Sequence, residues 1–437
     1  MKKFYAITSI LLLIILISGY ASAAMPDENM KRHVFDNGLV VITHEKHDNP
    51  LVSIHIWVRC GSIYENSDKR GISHFYEHMI FRGTNEVRVG EINRSIEKWG
   101  GTVNAVTSKD YTQYYFVVNK KYALDALKLL SEGVINTQFD PTEMELERNI
   151  VLEELNRTVN NPENYVIDMF NKSLMNKNPY RWPVIGFDDT VRSINREDFI
   201  KYQKSYYRPN NMCVVIIGDF ETQKILPEVK SIFSRFENAV VPTFQMKLDD
   251  PQEEITKIQE DMGLPQATIV FGYQGPGILN TSEDICVVDV LAFLLGQGQS
   301  SRLYRELKEE KGIVAKLQVV YYTSRYPSPF LVWAVTDRNK IDVVEKELNY
   351  QFNRLIEEPV TDEELNRAKV LLESTYIFGN ETNDGLANSY GFYEILADNV
   401  NFSKTYVEDI HKVTKEDIMR VAKKYFGSGN YTIAILK

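Results

Sequence analysis

Residues 51–58 alternate with a period of two, which predicts a strand. Upstream, two β-rich runs flank Asn37-Gly38 within residues 32–43, and that dipeptide predicts a tight hairpin. A helix is expected to carry 71–84 and a second one 91–99, broken by Gly100-Gly101. Residues 102–105 and 111–118 then pattern as another hairpin. Helical spacing follows near 121–136, 142–158 and 164–174, and the proline-rich 178–183 is expected to be a loop. The unbroken apolar run at 10–17 is different in kind. It follows Lys2 and Lys3 and precedes Ala21-Ser22-Ala23, so residues 1–23 are expected to be a bacterial-type signal peptide. Eight residues are too few to span a bilayer, which needs about 20. A secreted or periplasmic chain with no stable membrane anchor after cleavage is expected.

The pattern also repeats. Residues 194–207 align without a gap on 413–426, an offset of 219. Each copy opens with an N-cap residue, Asn195 or Thr414, and an acid three positions on, Asp198 or Asp417. The same offset aligns 142–148 with 361–367. Two homologous α+β domains are therefore expected, each an antiparallel sheet packed with helices, over 27–225 and 250–437. Residues 226–249 are expected to link them, in and around the polar, proline-containing 241–252.

Composition narrows function mainly by exclusion. The 437 residues carry a formal charge of −10, which argues against a nucleic-acid partner. Cys60, Cys213 and Cys286 form no C-x-x-C pair, and their odd number points to buried thiols. No Walker loop, dinucleotide fingerprint or G-x-S-x-G elbow is present.

The chemistry gathers at His74-Phe-Tyr-Glu-His78. On a helix His74 and His78 share one face, with Glu77 beside them. Two imidazoles so placed can share a zinc ion, and the carboxylate between them can act as base for water there. A catalytic zinc needs a third ligand. Glu147 and Glu154, seven residues apart, share a face of the 142–158 helix. Glu154 is expected to ligate and Glu147 to support a histidine from behind. Glu153 points about 100° away on an ideal helix. The strand after Gly100-Gly101 could pair with an extended peptide. His33, His44, His47 and His411 are expected in surface or packing roles, and His55 as a satisfied sheet residue.

Residues 71–84 resemble the signature of the insulinase/pitrilysin zinc peptidases, the inverzincins. That family carries H-x-x-E-H and, about 75 residues on, a ligand Glu closing E-x6-E. Here 75 residues lie between His78 and Glu154, and Glu147 matches the upstream Glu. Gly100-Gly-Thr-Val-Asn-Ala105, Tyr207-Arg-Pro-Asn-Asn-Met212, Val215-Ile-Ile-Gly-Asp219 and Ser300-Ser-Arg-Leu-Tyr304 match further family segments. The resemblance, closest to the short bacterial and mitochondrial-processing-type branch, implies a zinc endopeptidase acting on peptides or unfolded segments. It implies one Zn2+ per chain on His74, His78 and Glu154, with Glu77 as general base. It also implies substrate contacts at Gly101, Thr102, Asn104 and Ala105, and pairing of chains into a dimer that encloses a chamber.

Two departures qualify it. The offset sets Phe293, Gly296 and Gln297 opposite His74, Glu77 and His78, and only Glu373 echoes Glu154. Active family members also carry an Arg and a Tyr seven residues apart in the second domain, where this chain has Lys308 and Ala315. A heterodimer is then expected, in which a zinc-less homologue supplies the Arg/Tyr pair. Its rival is a homodimer using Tyr304, Tyr321 or Tyr322 instead. The functional alternative is a non-catalytic assembly or chaperone-like subunit, against which the intact ligands and Glu77 argue.

Overall fold

The computed structural model describes residues 29–437 except Arg235, Glu237, Asn238 and Asn280. The expected signal peptide lies outside the described residues. The first half folds as β1 (Met30–Val34), β2 (Val40–Glu45), β3 (Leu51–Val58), β4 (Thr102–Thr107), β5 (Thr112–Asn119) and β6 (Met212–Gly218), with helices α1 (Ile72–Met79), α2 (Glu91–Lys98), α3 (Ala123–Asn136), α4 (Pro141–Val159), α5 (Pro162–Leu174), α6 (Asp188–Ser193), α7 (Arg196–Tyr206) and α8 (Thr222–Phe233). The second half folds as β7 (Thr256–Glu260), β8 (Ala267–Gln274), β9 (Lys316–Tyr321), β10 (Pro329–Thr336) and β11 (Thr432–Leu436), with α9 (Ser282–Gly296), α10 (Ile341–Glu357), α11 (Asp362–Gly379), α12 (Asn383–Ala397), α13 (Phe402–Lys412) and α14 (Lys415–Phe426). One short π-helix, Tyr304–Glu310, interrupts it.

The sheet orders are β1-β2-β6-β3-β5-β4 and β7-β11-β8-β10-β9. Without β1 they are the same order, as the repeat requires. Both sheets are antiparallel apart from one equivalent parallel pair in each, β2 with β6 and β7 with β11. Both expected capping boxes form, Asn195 with Asp198 and Thr414 with Asp417. All three cysteines are buried and free.

The structure moves the expected linker. Residues 226–249 open inside α8, whose Ile225, Val229 and Phe233 pack into the first core. Pro227 sits within that helix and does not end it. Between α8 and β7 the described residues form neither helix nor strand.

Each half also covers the other's sheet. Helix α12 lies on β3 and β6, and its Ala387 and Tyr390 share a core with Trp57, Cys213, Val215 and Ile217. Reciprocally, Val166, Phe170 and Leu174 of α5 pack against Val270, Leu331, Trp333, Ala434 and Leu436 of the second sheet. Strand β3 is thus buried on both faces. His55 is satisfied on both nitrogens: across the junction Nε2 lies 2.9 Å from Asp384 Oδ1, and within the sheet Gln113 Nε2 lies 2.8 Å from His55 Nδ1. Helix α12 approaches so closely that a Cβ on Gly391 would sit 2.0 Å from Trp57 Nε1. Gly391→Ala is accordingly expected to destabilise the chain by about 1–3 kcal/mol through overpacking, read by urea denaturation.

Candidate metal centre

Helix α1 begins where Gly71 adopts φ +93°, a conformation that favours glycine, and where a Cβ would meet Ile185 O at 2.6 Å. The buried Glu65 carboxylate accepts from the Gly71 and Ser73 amides, each at 2.9 Å, satisfying donors that a helix start leaves open. Burial pushes this carboxyl up to about 7. Helix α1 buries Phe75, Tyr76 and Met79 in the first core. That orientation turns His74, Glu77 and His78 towards α4 and β4, which both contact α1.

Helix α4 meets this face with Glu147 and Glu154. His74 Nε2 lies 3.7 Å from Glu154 Oε1, and His78 Nε2 lies 3.6 Å from Glu154 Oε2. One ligand atom from each of the three residues falls within 4.8 Å of the other two, and no other such group occurs among the described residues. A tetrahedral zinc with bonds of about 2.0–2.1 Å holds its donors about 3.3 Å apart, so two imidazoles and one carboxylate at these spacings fit that ion with a position to spare. Glu153, next in sequence, is exposed.

Around the donors, His78 Nδ1 lies 2.9 Å from Glu147 Oε2. This contact puts the ring proton on Nδ1 and leaves Nε2 a lone pair for a metal. Glu147 is itself buried and met by the Arg82 guanidinium. Burial lowers the His74 pKa to about 3 and that of His78 in the same direction, which keeps both rings neutral, as ligands must be. Burial raises Glu77, and a hydrogen bond from Thr107 Oγ1 to Glu77 Oε2, 2.5 Å, opposes that rise. Glu147→Gln is expected to weaken zinc binding about 10–100-fold, measured by competition with a chromogenic chelator.

Sequence reasoning missed Thr107, Arg82 and Glu65. Arg82 follows His78 by four residues, and its charge opposite Glu147 was the one available signal. Of the expected substrate residues, Asn104 and Ala105 line a cavity of about 340 Å³ with Glu77, His78 and Phe81, while Gly101 and Thr102 lie outside it. Gly101 serves a close approach instead, since a Cβ there would meet Val117 O at 2.5 Å. Strand β4 is an edge strand of its sheet, at the opposite end from β1. On the other flank, His74, Thr107, Lys109 and Glu154 line a second cleft of about 390 Å³. In the second half, Glu373 lies 3.2 Å from His411 and gathers no ligand set.

Comparison with known proteins places this geometry in a class. The model of insulinase (peptidase family M16) matches residues 40–187, and that of the peptidase M16 inactive domain matches 193–372. Zinc protease PqqE of Helicobacter pylori is 26% identical over 442 residues, covering 100% of this chain and 98% of the relative. YmxG of Bacillus subtilis, an uncharacterized zinc protease, is 27% identical over 408 residues, covering 93% of this chain and 98% of the relative. The crystal structure of a protease from Helicobacter pylori superposes with a TM-score of 0.88 at 26% identity, over 93% of this chain and 99% of that one. The relatives are zinc proteases by name, and the fold is theirs. The chain belongs to the insulinase, or M16, peptidase family and fits its short bacterial branch.

Proposed function

We propose that this chain is a zinc endopeptidase that hydrolyses peptides or unfolded segments. The observation that carries the reading is the convergence of His74, His78 and Glu154 on one point beside an edge strand, with Glu77 on the same helix face. When bound, zinc supplies a Lewis acid for the scissile carbonyl and lowers the pKa of water. Glu77 takes the proton of the attacking water and delivers it to the leaving amine. Thr107 holds Glu77 Oε2, which leaves Oε1 for that proton. The β4 edge aligns an extended substrate through backbone hydrogen bonds and so tolerates many sequences. Clefts on both flanks of the ligands give room for chain on either side of the cut, which favours internal cleavage.

The purified chain is expected to cut an unstructured peptide blocked at both ends, to lose that activity to a chelator and to regain it with one equivalent of zinc. Chelator-resistant cleavage overturns the reading. A partner chain belongs to the same proposal. Lys308 lies in the π-helix with Nζ 4.7 Å from the Tyr304 ring centre, and Ala315 is exposed just before β9. Lysine lacks the planar fork of arginine, and alanine lacks a phenol. A zinc-less homologue, exported alongside this chain to the periplasm or beyond, would supply both groups in a heterodimer. Full activity of the isolated chain would count against that partner.

A further inference from the structure

Between the two halves lies a cavity of about 700 Å³ that the peptidase chemistry does not use. Aromatic side chains dominate its wall, among them Phe293, Tyr321, Tyr376, Phe392, Tyr393 and Tyr406. Two carboxylates line it: Asp110, which accepts from the Tyr180 hydroxyl and the Arg325 amide, and Asp289 of α9, which stands among the rings. Asp289 Oδ2 accepts a 2.5 Å hydrogen bond from the Tyr406 hydroxyl. Among the described residues no Lys, Arg or His forms an ion pair with it, and the Tyr406 hydroxyl is its one polar influence. A carboxylate in such surroundings is costly to keep charged without a partner, and burial pushes Asp289 up to about 7. Lys109 also lines the cavity, but its ammonium donates to the carbonyls of Tyr180 and Trp182. The faces of tyrosine and phenylalanine rings attract cations. A wall of rings around Asp289, which no cation offsets, therefore selects a positively charged group on a slender apolar stem. Lysine and arginine side chains have that form.

The cavity also adjoins the cleft beside the metal ligands. Lys109 and Val184 line both it and the cleft that contains His74 and Glu154. A peptide that left the metal ligands on that side would meet Lys109 before the aromatic wall. Resting on the peptidase reading, we propose that this cavity is a subsite for a lysine or arginine side chain of the substrate, with Asp289 as its counter-charge.

The test reads binding without turnover. End-blocked fluorescent peptides carrying one lysine, moved a position at a time, are titrated by anisotropy onto the zinc-loaded Glu77→Gln chain, with norleucine peptides as controls. In one register lysine is expected to bind at least tenfold tighter than norleucine. Asp289→Asn, which can still accept from Tyr406, is expected to bring the lysine affinity down to the norleucine value. Equal binding of lysine and norleucine in every register overturns the proposal, and that comparison needs only the Asp289 protein. A lysine preference that survives Asp289→Asn also overturns it. So does a preference that appears only with unblocked N-termini, which would assign the site to the α-ammonium. Lysine-selective binding together with no cleavage by the Glu77 chain would mark failure of the peptidase reading and leave the subsite standing.

Discussion

Glu77→Gln is expected to lower kcat/KM for an unstructured peptide by about 10²–10⁴-fold while zinc content stays at one equivalent. Glutamine has the same shape, and its amide oxygen can still accept the Thr107 hydroxyl that now meets Glu77 Oε2. It cannot take a proton from water. The loss should fall on kcat and leave KM nearly unchanged, because the group is needed in the transition state and the β4 edge is untouched. Single-turnover kinetics with metal analysis of the same samples measures both quantities. A variant that keeps full activity would remove Glu77 from the role of base.

Glu154→Gln has the second large effect, and it acts on the metal. Glu154 faces both His74 Nε2 and His78 Nε2, so it is the donor that closes the set. A neutral amide oxygen replaces the only anionic donor among the three. Zinc affinity is expected to fall by more than the about 10–100-fold typical of an outer partner such as Glu147. Peptide cleavage falls with it and returns in part when zinc is added in excess. Glu153→Gln, one position away on the exposed face, should change neither metal content nor activity. A chain in which Glu153, not Glu154, controls zinc would refute the helix geometry described above.

The convergence of His74, His78 and Glu154 was legible because it is built from short-range rules. A helix period puts His74 beside His78, and the same period separates Glu154 from Glu153. The capping boxes at Asn195 and Thr414 were legible for the same reason. What the local pattern could not show is which surface covers which. Ser53 and His55 alternate with apolar residues in β3, as on a strand with one wet face, yet both are buried because α12 arrives from more than 300 residues away with Asp384. The expected linker, drawn around the polar 241–252, starts inside α8, where Ile225, Val229 and Phe233 supply the apolar contact that keeps the helix. Asp289 gave no signal at all, since its aromatic neighbours come from separate helices and one strand end.

The exchange of α5 and α12 means that neither repeat is a finished object. A half-length chain would leave one face of its sheet bare and would have to borrow a helix from a twin. Two such chains could satisfy each other in perfect symmetry. The present protein is then a tethered pair of mutually dependent twins. A protease nick between α8 and β7 should therefore yield two fragments that still migrate as one particle. Because the shared obligation is only to cover a neighbour's sheet, one twin could shed its metal ligands without loosening the union, and its freed interior became available for other work.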